Sequence, residues 1–329
     1  MDVWCAFATS MVTPDHIVLA EDLGYRRAWC YDSPALYPDV WMILALAAAR
    51  TSTIGLGPGV IVPSLRHPVV TAAAIGTLAA QAPGRVLVAI GSGFTGRVVL
   101  GQKPMRWADV AQYVQVLRTL LAGEDVLWEG HRIRMLQPPS CGAGRPIEIP
   151  ILIGADGPKG QQVAADLGDG AFSANVPVLA EAAHSWRALL MWGTVLSDEE
   201  APDSPRAVAA VQTSVAVAYH VFYERGGAAA VDALPNGPRW RQQIEAEPPD
   251  TRHLTIHAGH QIGLNDHDKV VFPEAVEIAP AVTAIGTAEQ LRARLDKWAE
   301  DGVSEVAFQP AGPDIPRELR AFTRMAVDR

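Results

Sequence analysis

Short apolar segments alternate with amphipathic segments along the first half of the chain, at intervals of about thirty residues. The apolar segments lack the period-two alternation of a half-exposed strand, which is typical of parallel strands covered on both faces. They lie at Val3–Ala8, Ala28–Tyr31, Ile54–Val62, Arg85–Ile90, Ile149–Ile153 and Gly170–Ala174. The segments between them predict helices, the first beginning at Thr13 as N-cap with Pro14 in its first turn. This repetition predicts a parallel α/β sheet, open or closed.

The second half of the chain continues this pattern less regularly. Helices are predicted at Val178–Leu190, Thr287–Glu300 and Pro316–Met325, and strands within Val208–Phe222 and at Val303–Phe308. The stretch Gly226–Pro280 is rich in proline, histidine and charge, and it predicts a large insertion. Eight strands with about as many helices indicate an α/β fold of the (β/α)8 TIM-barrel type. We expect one domain over residues 1–329, with an insertion at about 226–280.

Composition restricts the class of protein. Hydrophobic residues make up 49% of the 329 residues and charged residues 19%, so a large core is available. The net charge of -9 without a basic cluster argues against nucleic acid as a partner. Three isolated cysteines indicate a reducing compartment, and no apolar run is long enough to span a membrane. We therefore expect a cytoplasmic protein with a small-molecule substrate.

The barrel hypothesis locates the candidate site before any relative is considered. Active sites of (β/α)8 barrels lie at the carboxyl ends of the strands. The residues at those ends are Ala8, Asp32, Gly59, Val60, Gly91, Ser92, Gly93, Gly154, Ala155, Asp156, Gly157 and Asn175. Asp32 could cap the turn through Ser33 and Pro34, or it could contact a cofactor or substrate.

Two glycine-rich loops follow apolar strands. Gly91–Gly96 matches the G-x-G-x-x-G dinucleotide fingerprint, which requires an acid about twenty residues on, at the end of the next strand. The next acid, Asp109, instead lies in a predicted helix over Trp107–Leu121, which disfavours a Rossmann domain. Gly154–Pro158, with Lys159 beyond it, is either a phosphate-binding helix start or a tight turn.

Histidines are concentrated in the predicted insertion. His253, His257 and His260 have a spacing that would place them on one helical face, although Gly259 weakens such a helix. No cysteine or paired carboxylate completes a site of known spacing, so we predict no metal site. These histidines could line a substrate pocket or have a structural or solvated role. A serine hydrolase is disfavoured because no G-x-S-x-G elbow is present.

Several short blocks, in order, resemble the luciferase-like monooxygenase superfamily. They are Ala20–Tyr25, Ala48–Gly57, Arg66–Pro68, Gly84–Gly93, Ile149–Ile151, Ala165–Gly170 and Ile285–Thr287. The resemblance covers nearly the whole chain except the insertion. Within the superfamily, the chain is most similar to the branch that uses the deazaflavin coenzyme F420, which includes methylenetetrahydromethanopterin reductases.

The resemblance implies a (β/α)8 barrel, often a homodimer, and assigns roles to the strand ends. It implies a non-prolyl cis peptide at Gly59–Val60 behind the deazaflavin ring, with Asp32 near that ring. It implies that Gly91–Gly93 and Gly154–Gly157 hold the ring and the phosphate-bearing tail. Ser33 and Phe94 replace a histidine and a glutamate of the sugar-phosphate dehydrogenases of this branch, which argues against that substrate.

The implied function is an F420-dependent oxidoreductase that transfers a hydride between the deazaflavin ring and a small organic substrate. Such an enzyme needs few catalytic side chains because the cofactor performs the chemistry. His257 or His260 is a candidate proton donor. Two alternatives remain open: an FMN-dependent monooxygenase on the same fold, and a barrel that binds a ligand without catalysis.

Overall fold

The computed structural model describes residues 1–327 and contains, over this range, eleven strands. They are β1 (Asp2–Phe7), β2 (Arg27–Cys30), β3 (Gly55–Ile61), β4 (Val88–Gly91), β5 (Val126–Trp128), β6 (His131–Ile133), β7 (Ile151–Gly154), β8 (Gly170–Ser173), β9 (Arg187–Leu196), β10 (Ala284–Thr287) and β11 (Glu305–Pro310). Nine form one sheet in the order β10-β9-β11-β1-β2-β3-β4-β7-β8. A further pairing of β9 with β8 closes eight of them into a ring, and β10 pairs with β9 outside that ring. The predicted (β/α)8 barrel is therefore confirmed.

The helices follow the strands in the expected alternation. They are α1 (Thr13–Asp22), α2 (Val40–Ala48), α3 (Pro68–Gln81), α4 (Phe94–Val98), α5 (Trp107–Ala122), α6 (Pro158–Leu167), α7 (Val176–Ala180), α8 (Pro205–Asp232), α9 (Gly237–Ala246), α10 (Arg252–His257), α11 (Ala279–Val282), α12 (Ala288–Glu300) and α13 (Ile315–Val327). In the part of the chain that the structure describes, no helix is both long and apolar enough to cross a membrane.

The described chain divides into two compact units. The first comprises residues 1–97, 103–190 and 299–307, and the second comprises residues 98–102, 191–298 and those from 308 onward. The first unit contains the predicted cofactor residues, and the second contains most of the helices after β9. A single domain over residues 1–329, with an insertion at about 226–280, stays a prediction.

Tryptophans fill the interior of the first unit. Trp4 on β1 and Trp29 on β2 are fully buried, with ring centroids 5.6 Å apart, and Phe172 on β8 lies 5.3 Å from Trp29. The facing positions of the same cluster are small: Ala6, Ala89, Ala188 and Ala307. Large rings paired with small residues fill a barrel interior without voids.

A charged layer lies at the amino-terminal ends of the strands in the first unit. The Arg27 guanidinium stacks on Trp4 and Trp186, 4.5 and 4.9 Å from their centroids, and pairs with Glu305 at 3.3 Å. Trp186 Nε1 donates a hydrogen bond of 2.6 Å to the same carboxylate. Burial raises the pKa of Glu305 to about 7, although both of these partners oppose the rise.

This carboxylate should make stability depend on pH. Because its pKa in the folded protein lies above its ordinary value, the native state binds the proton more tightly, and stability falls as pH rises from about 4.5 to about 7. From pH 4.5 to pH 8, we expect the stability of the wild type to fall relative to that of Glu305→Gln by about 1–3 kcal/mol. Urea denaturation at several pH values tests this, with the exposed Glu289→Gln as control. Parallel pH curves for the wild type and Glu305→Gln would contradict the prediction.

Two predicted elements in the second half are wrong. Residues 178–190 were predicted as a helix, but the short helix α7 ends at Ala180 and strand β9 begins at Arg187. A strand was predicted within 208–222, but this stretch lies in helix α8. Periodicity cannot separate a buried strand from a buried helix when both are apolar runs. The alanine-rich composition of 207–218 decides for the helix.

Other local predictions differ in detail. Thr13 is the first residue of α1 rather than its N-cap, and its Oγ1 accepts a hydrogen bond from the Ser10 amide at 2.8 Å. The register of β3 and β4 shifts between Gly59 and Ile61. Strands β5 and β6 form an antiparallel hairpin.

The second unit has its own core, in which α8 packs with the helices that follow it. Its largest buried side chains are Tyr219 and Trp240, with ring centroids 6.1 Å apart. Helix α8 is interrupted at Gly227, whose φ of 65° is outside the helical range. Within residues 226–280, all of which are described, the elements are helices and 3-10 turns without a strand.

Candidate functional site

The carboxyl ends of β3, β4 and β7 meet around one side chain, Val60. The Gly59–Val60 peptide is cis, as the resemblance implied. A side chain at Gly154 would place its Cβ 2.5 Å from Val60 Cγ1, and one at Gly91 would place it 3.0 Å from Val60 Cγ2. Glycine is thus required at both positions for Val60 to occupy its place. Beneath it, a Cβ on Gly59 would lie 2.9 Å from the ring of Trp29.

The loop after β4 is fixed against the loops after β2 and β3. Gly93 has a φ of +78°, and a Cβ there would lie 2.4 Å from Val62 Cγ1. The five-residue helix α4 follows. A Cβ on Gly96, within this helix, would lie 3.3 Å from the backbone carbonyl oxygen of Asp32. The Arg97 side chain donates to Ser64 Oγ and, at 2.6 Å, to the Lys103 carbonyl. The loop is therefore held by contacts on both sides.

Asp32 is buried beside an arginine that the sequence interpretation did not include in the site. Arg66 Nη1 donates to both carboxylate oxygens of Asp32, at 2.6 and 2.5 Å, and its Nη2 donates to Asp39 Oδ2 at 2.8 Å. Burial raises the pKa of Asp32, and the Arg66 guanidinium opposes that rise. The Asp32 carboxylate therefore fixes Arg66, and with it the segment that joins β3 to α3.

Polar groups connect the ends of β7 and β8. Ser173 Oγ donates to Asp156 Oδ1 at 2.7 Å, and the Asn175 amide donates to Ser173 Oγ at 3.0 Å. Gln161 Nε2 donates to the Ala155 carbonyl at 2.8 Å, which ties the first turn of α6 to this loop. A Cβ on Gly157 would have open space around it, and Lys159 next to it is exposed. This edge thus presents a helix start and a lysine to solvent.

All predicted cofactor residues belong to the first unit, at the ends of β2, β3, β4, β7 and β8. Direct contacts bring together Val60, Gly91 and Gly154, and a hydrogen-bond chain joins Asp156 to Asn175. Arg66 and Ser173 were missed by sequence reasoning. Arg66 lies within one of the blocks that carry the resemblance. It is also the first charged residue after the third apolar strand, and this was the signal by which it could have been found.

The two candidate proton donors belong to the second unit. His257 is the last residue of α10, and His260 lies in the turn that follows; they are 1% and 5% exposed. Burial lowers the pKa of both imidazoles, and the nearby His220 also contributes to lowering it. Their role in catalysis stays a prediction.

A groove elsewhere in the first unit does not coincide with the glycine loops. Its volume is about 520 Å³, and it is lined by residues around Arg118, Ile149, Asp169 and Trp186. Ile149, Asp169 and Trp186 lie just before β7, β8 and β9, at the amino-terminal ends of these strands, and Arg118 lies on α5. Since barrel active sites lie at the opposite ends, the glycine-lined edge is the better candidate.

Comparisons with known proteins identify relatives of this chain. The chain is 37% identical over 159 residues to the 5,10-methylenetetrahydromethanopterin reductase of Archaeoglobus fulgidus. The matched region covers 47% of this chain and 46% of that protein. It is 33% identical over 174 residues to the F420-dependent glucose-6-phosphate dehydrogenase of Nakamurella multipartita, covering 47% and 50% respectively. The chain thus spans about half the length of the curated relatives it matches.

The likeness of fold extends over the whole chain. The structure of the coenzyme F420-dependent tetrahydromethanopterin reductase from Methanopyrus kandleri superposes with a TM-score of 0.69, covering 100% of this chain and 99% of the other at 20% identity. The family model described as luciferase-like monooxygenase matches residues 12–305. The chain therefore belongs to the luciferase-like monooxygenase family.

Proposed function

We propose that the protein is an F420-dependent oxidoreductase that transfers a hydride between the deazaflavin ring and a small organic substrate. The observation that carries the proposal is the glycine-bounded position of Val60 at the ends of β3, β4 and β7. The names of the relatives support the choice of cofactor, since two of them are described as F420-dependent. The matched region covers about half of each curated relative, so the activity is our inference.

The residues at this edge fit a deazaflavin. Val60 is half-buried and rests on the apolar cluster that contains Trp29, so it offers an apolar contact to a flat ring. The start of α6 can supply backbone N–H groups to an anionic tail, and Lys159 adds a positive charge. Gly91–Gly93, Asp156, Gly157 and Asn175 are the residues we assign to the remaining contacts.

When bound, the deazaflavin supplies the hydride chemistry, and the chain supplies orientation and the exclusion of water. The Asp32–Arg66 pair fixes the loop after β3, and the Gly93–Gly96 loop packs against Val62 and Asp32. The half-buried Phe94 and the buried Ser33 present little charge to a substrate, which favours a small uncharged compound over a sugar phosphate. The candidate proton donors His257 and His260 are not part of this proposal, because a different role is inferred for them below.

Titration of purified protein with F420 and with FMN, followed by tryptophan fluorescence, tests the proposal. We expect F420 to quench the emission and to bind at least about tenfold more tightly than FMN. Trp29 is a suitable reporter because its ring lies directly beneath Gly59. Its substitution by phenylalanine should therefore reduce the quenching more than substitution of Trp186, which lies in the same unit immediately before the amino-terminal end of β9.

The other outcomes have defined meanings. A preference for FMN would assign the protein to the oxygen-using monooxygenases, which oxygen uptake in the presence of reduced FMN would establish. Binding of neither cofactor would contradict both enzyme proposals and leave a ligand-binding barrel. If F420 binds but no carbonyl or unsaturated compound is turned over, the assignment of the cofactor would stand and the proposed hydride transfer to such a substrate would not.

We also propose a cytoplasmic homodimer. Helix α2 is apolar on nearly every side, and its Met42 and Leu46, one turn apart, are 68% and 47% exposed. Exposed apolar patches on otherwise well-packed proteins are typical of subunit interfaces. The three cysteines are free, which supports a reducing compartment.

Light scattering tests the proposed homodimer and should give twice the mass of the chain. Met42→Glu combined with Leu46→Glu should give the monomer. A monomeric wild type would refute the proposal.

A further inference from the structure

Three buried histidines converge in the second unit. His220 lies on α8, His257 ends α10, and His260 lies in the turn after α10; their exposed fractions are 1%, 1% and 5%. One nitrogen from each ring lies within 4.8 Å of one nitrogen from each of the others. Histidines are intermediate in burial preference, and three fully enclosed in mutual contact are unusual unless something satisfies their nitrogens.

The nitrogens that face each other have the spacing of metal ligands. His220 Nδ1 lies 3.4 Å from His260 Nδ1, and His257 Nδ1 lies 3.3 Å from the same atom. In a tetrahedral zinc site with Zn–N bonds of 2.0–2.1 Å, two ligand nitrogens are about 3.3 Å apart. Both contacts therefore fit ligands of one ion.

Hydrogen bonds among the three rings cannot account for both Nδ1–Nδ1 contacts of His260 at the same time. His220 Nε2 lies 2.9 Å from Asp268 Oδ1; when this nitrogen donates to the carboxylate oxygen, the Nδ1 of a neutral ring presents a lone pair. A neutral His260 can then donate its Nδ1 proton to His220, or accept one from His257, but cannot make both bonds. A bound cation would accept all three lone pairs.

The outer contacts also match those of a metal site. Metal-binding histidines usually donate their second ring N–H to a carboxylate, which fixes the ring. Asp268 has this position toward His220, and it is itself held by Trp240 Nε1 at 3.2 Å and by the Asn265 side chain, which accepts from its amide at 2.8 Å. Glu224 Oε1 lies 3.8 Å from His257 Nε2.

We propose that His220, His257 and His260 bind one zinc-class divalent ion through their Nδ1 atoms. Three imidazoles suit Zn²⁺ and its transition-metal neighbours rather than Mg²⁺ or Ca²⁺, and three protein ligands leave one position for water or another small ligand. The ion would join α8 to α10 and the following turn. A ligated imidazole is not free to deliver a proton, so this role replaces the one assigned to His257 and His260 above. The sequence alone predicted no metal because His220 lies 37 residues before His257.

The test uses tag-free full-length protein, stripped with a chelator and titrated with Zn²⁺ against a chromogenic chelator. We expect one Zn²⁺ per chain after gel filtration, and a rise in the thermal midpoint of about 5 °C on loading. His260→Asn should bind Zn²⁺ at least about 100-fold more weakly, and Asp268→Asn about 10-fold more weakly. The exposed His131→Asn should bind like the wild type.

Loading the wild type with Co²⁺ provides a readout that does not depend on the folding of any variant. We expect the intense visible d–d absorption of tetrahedral Co²⁺, which Zn²⁺ should displace. The weak spectrum of octahedral Co²⁺, or equal Zn²⁺ uptake by the wild type and His260→Asn, would overturn the proposal. All of these measurements are made without F420, so their failure and a failure of the proposed cofactor are separate results.

Discussion

Replacement of Arg66 by methionine should lower the free energy of unfolding by about 3–5 kcal/mol at pH 7. The guanidinium bridges two carboxylates, Asp32 and Asp39, and only 1% of the Asp32 side chain is exposed. Without Arg66, the Asp32 carboxylate would remain buried with its charge uncompensated. Removing one partner of a buried ion pair costs far more than the pair itself contributes, because the desolvation of the remaining charge is no longer offset.

Urea denaturation of matched variants measures this effect. Arg106→Met removes an arginine whose side chain is 83% exposed and which pairs with Asp109, and it should leave stability nearly unchanged. Arg66→Met combined with Asp32→Asn should recover part of the loss, because the amide carries no charge. If Arg66→Met were no more destabilising than Arg106→Met, the Asp32–Arg66 pair would not stabilise the loop after β3.

The pH dependence of Arg66→Met provides a second check. Burial already raises the pKa of Asp32 in the wild type, and the loss of Arg66 should raise it further. The folded variant would then bind a proton more tightly than its unfolded chain, so its stability should fall as pH rises through the pKa of Asp32. The difference from the wild type should therefore be small in acid and reach its full size near neutrality.

The regular first half of the fold was predictable because its signals are local. Each strand from β1 to β8 in the barrel is a short apolar run, and helices such as α5 and α6 have an amphipathic pattern. The error at β9 has a physical cause: Ala188–Leu190 continues into Met191 without alternation, and a buried strand and a buried helix read alike in such a run.

The contacts that build the site were less accessible from sequence. The sequence could locate the ends of the strands, but the reason for glycine at 91 and 154 is Val60, a side chain of a different strand. The partner of Asp32 is 34 residues away in Arg66, and the third histidine of the cluster, His220, lies in a segment predicted as a strand. Each of these pairings depends on the closed barrel or on the packing of α8, which periodicity does not describe.

Substitution of Gly154 by alanine should weaken F420 binding by about 10–100-fold. The new Cβ would lie 2.5 Å from Val60 Cγ1, closer than any real contact, so Val60 or the end of β7 must move. Because we propose that the deazaflavin ring rests on Val60, this displacement should disturb the ring directly. Overpacking of this kind should also cost about 1–3 kcal/mol of stability. Fluorescence titration and urea denaturation measure the two effects.

A second substitution separates a local clash from general damage. Val60→Ala removes both methyl groups, and a Cβ at 154 would then meet the Val60 Cβ at 3.6 Å, an ordinary contact. The double variant Val60→Ala/Gly154→Ala should therefore recover the lost stability and bind F420 more tightly than Gly154→Ala alone. Gly144→Ala, with no atom within 4 Å of its new Cβ, should behave like the wild type. If Gly154→Ala bound F420 normally despite the clash, the ring would not rest on Val60, and the cofactor would have to be placed elsewhere along the strand ends.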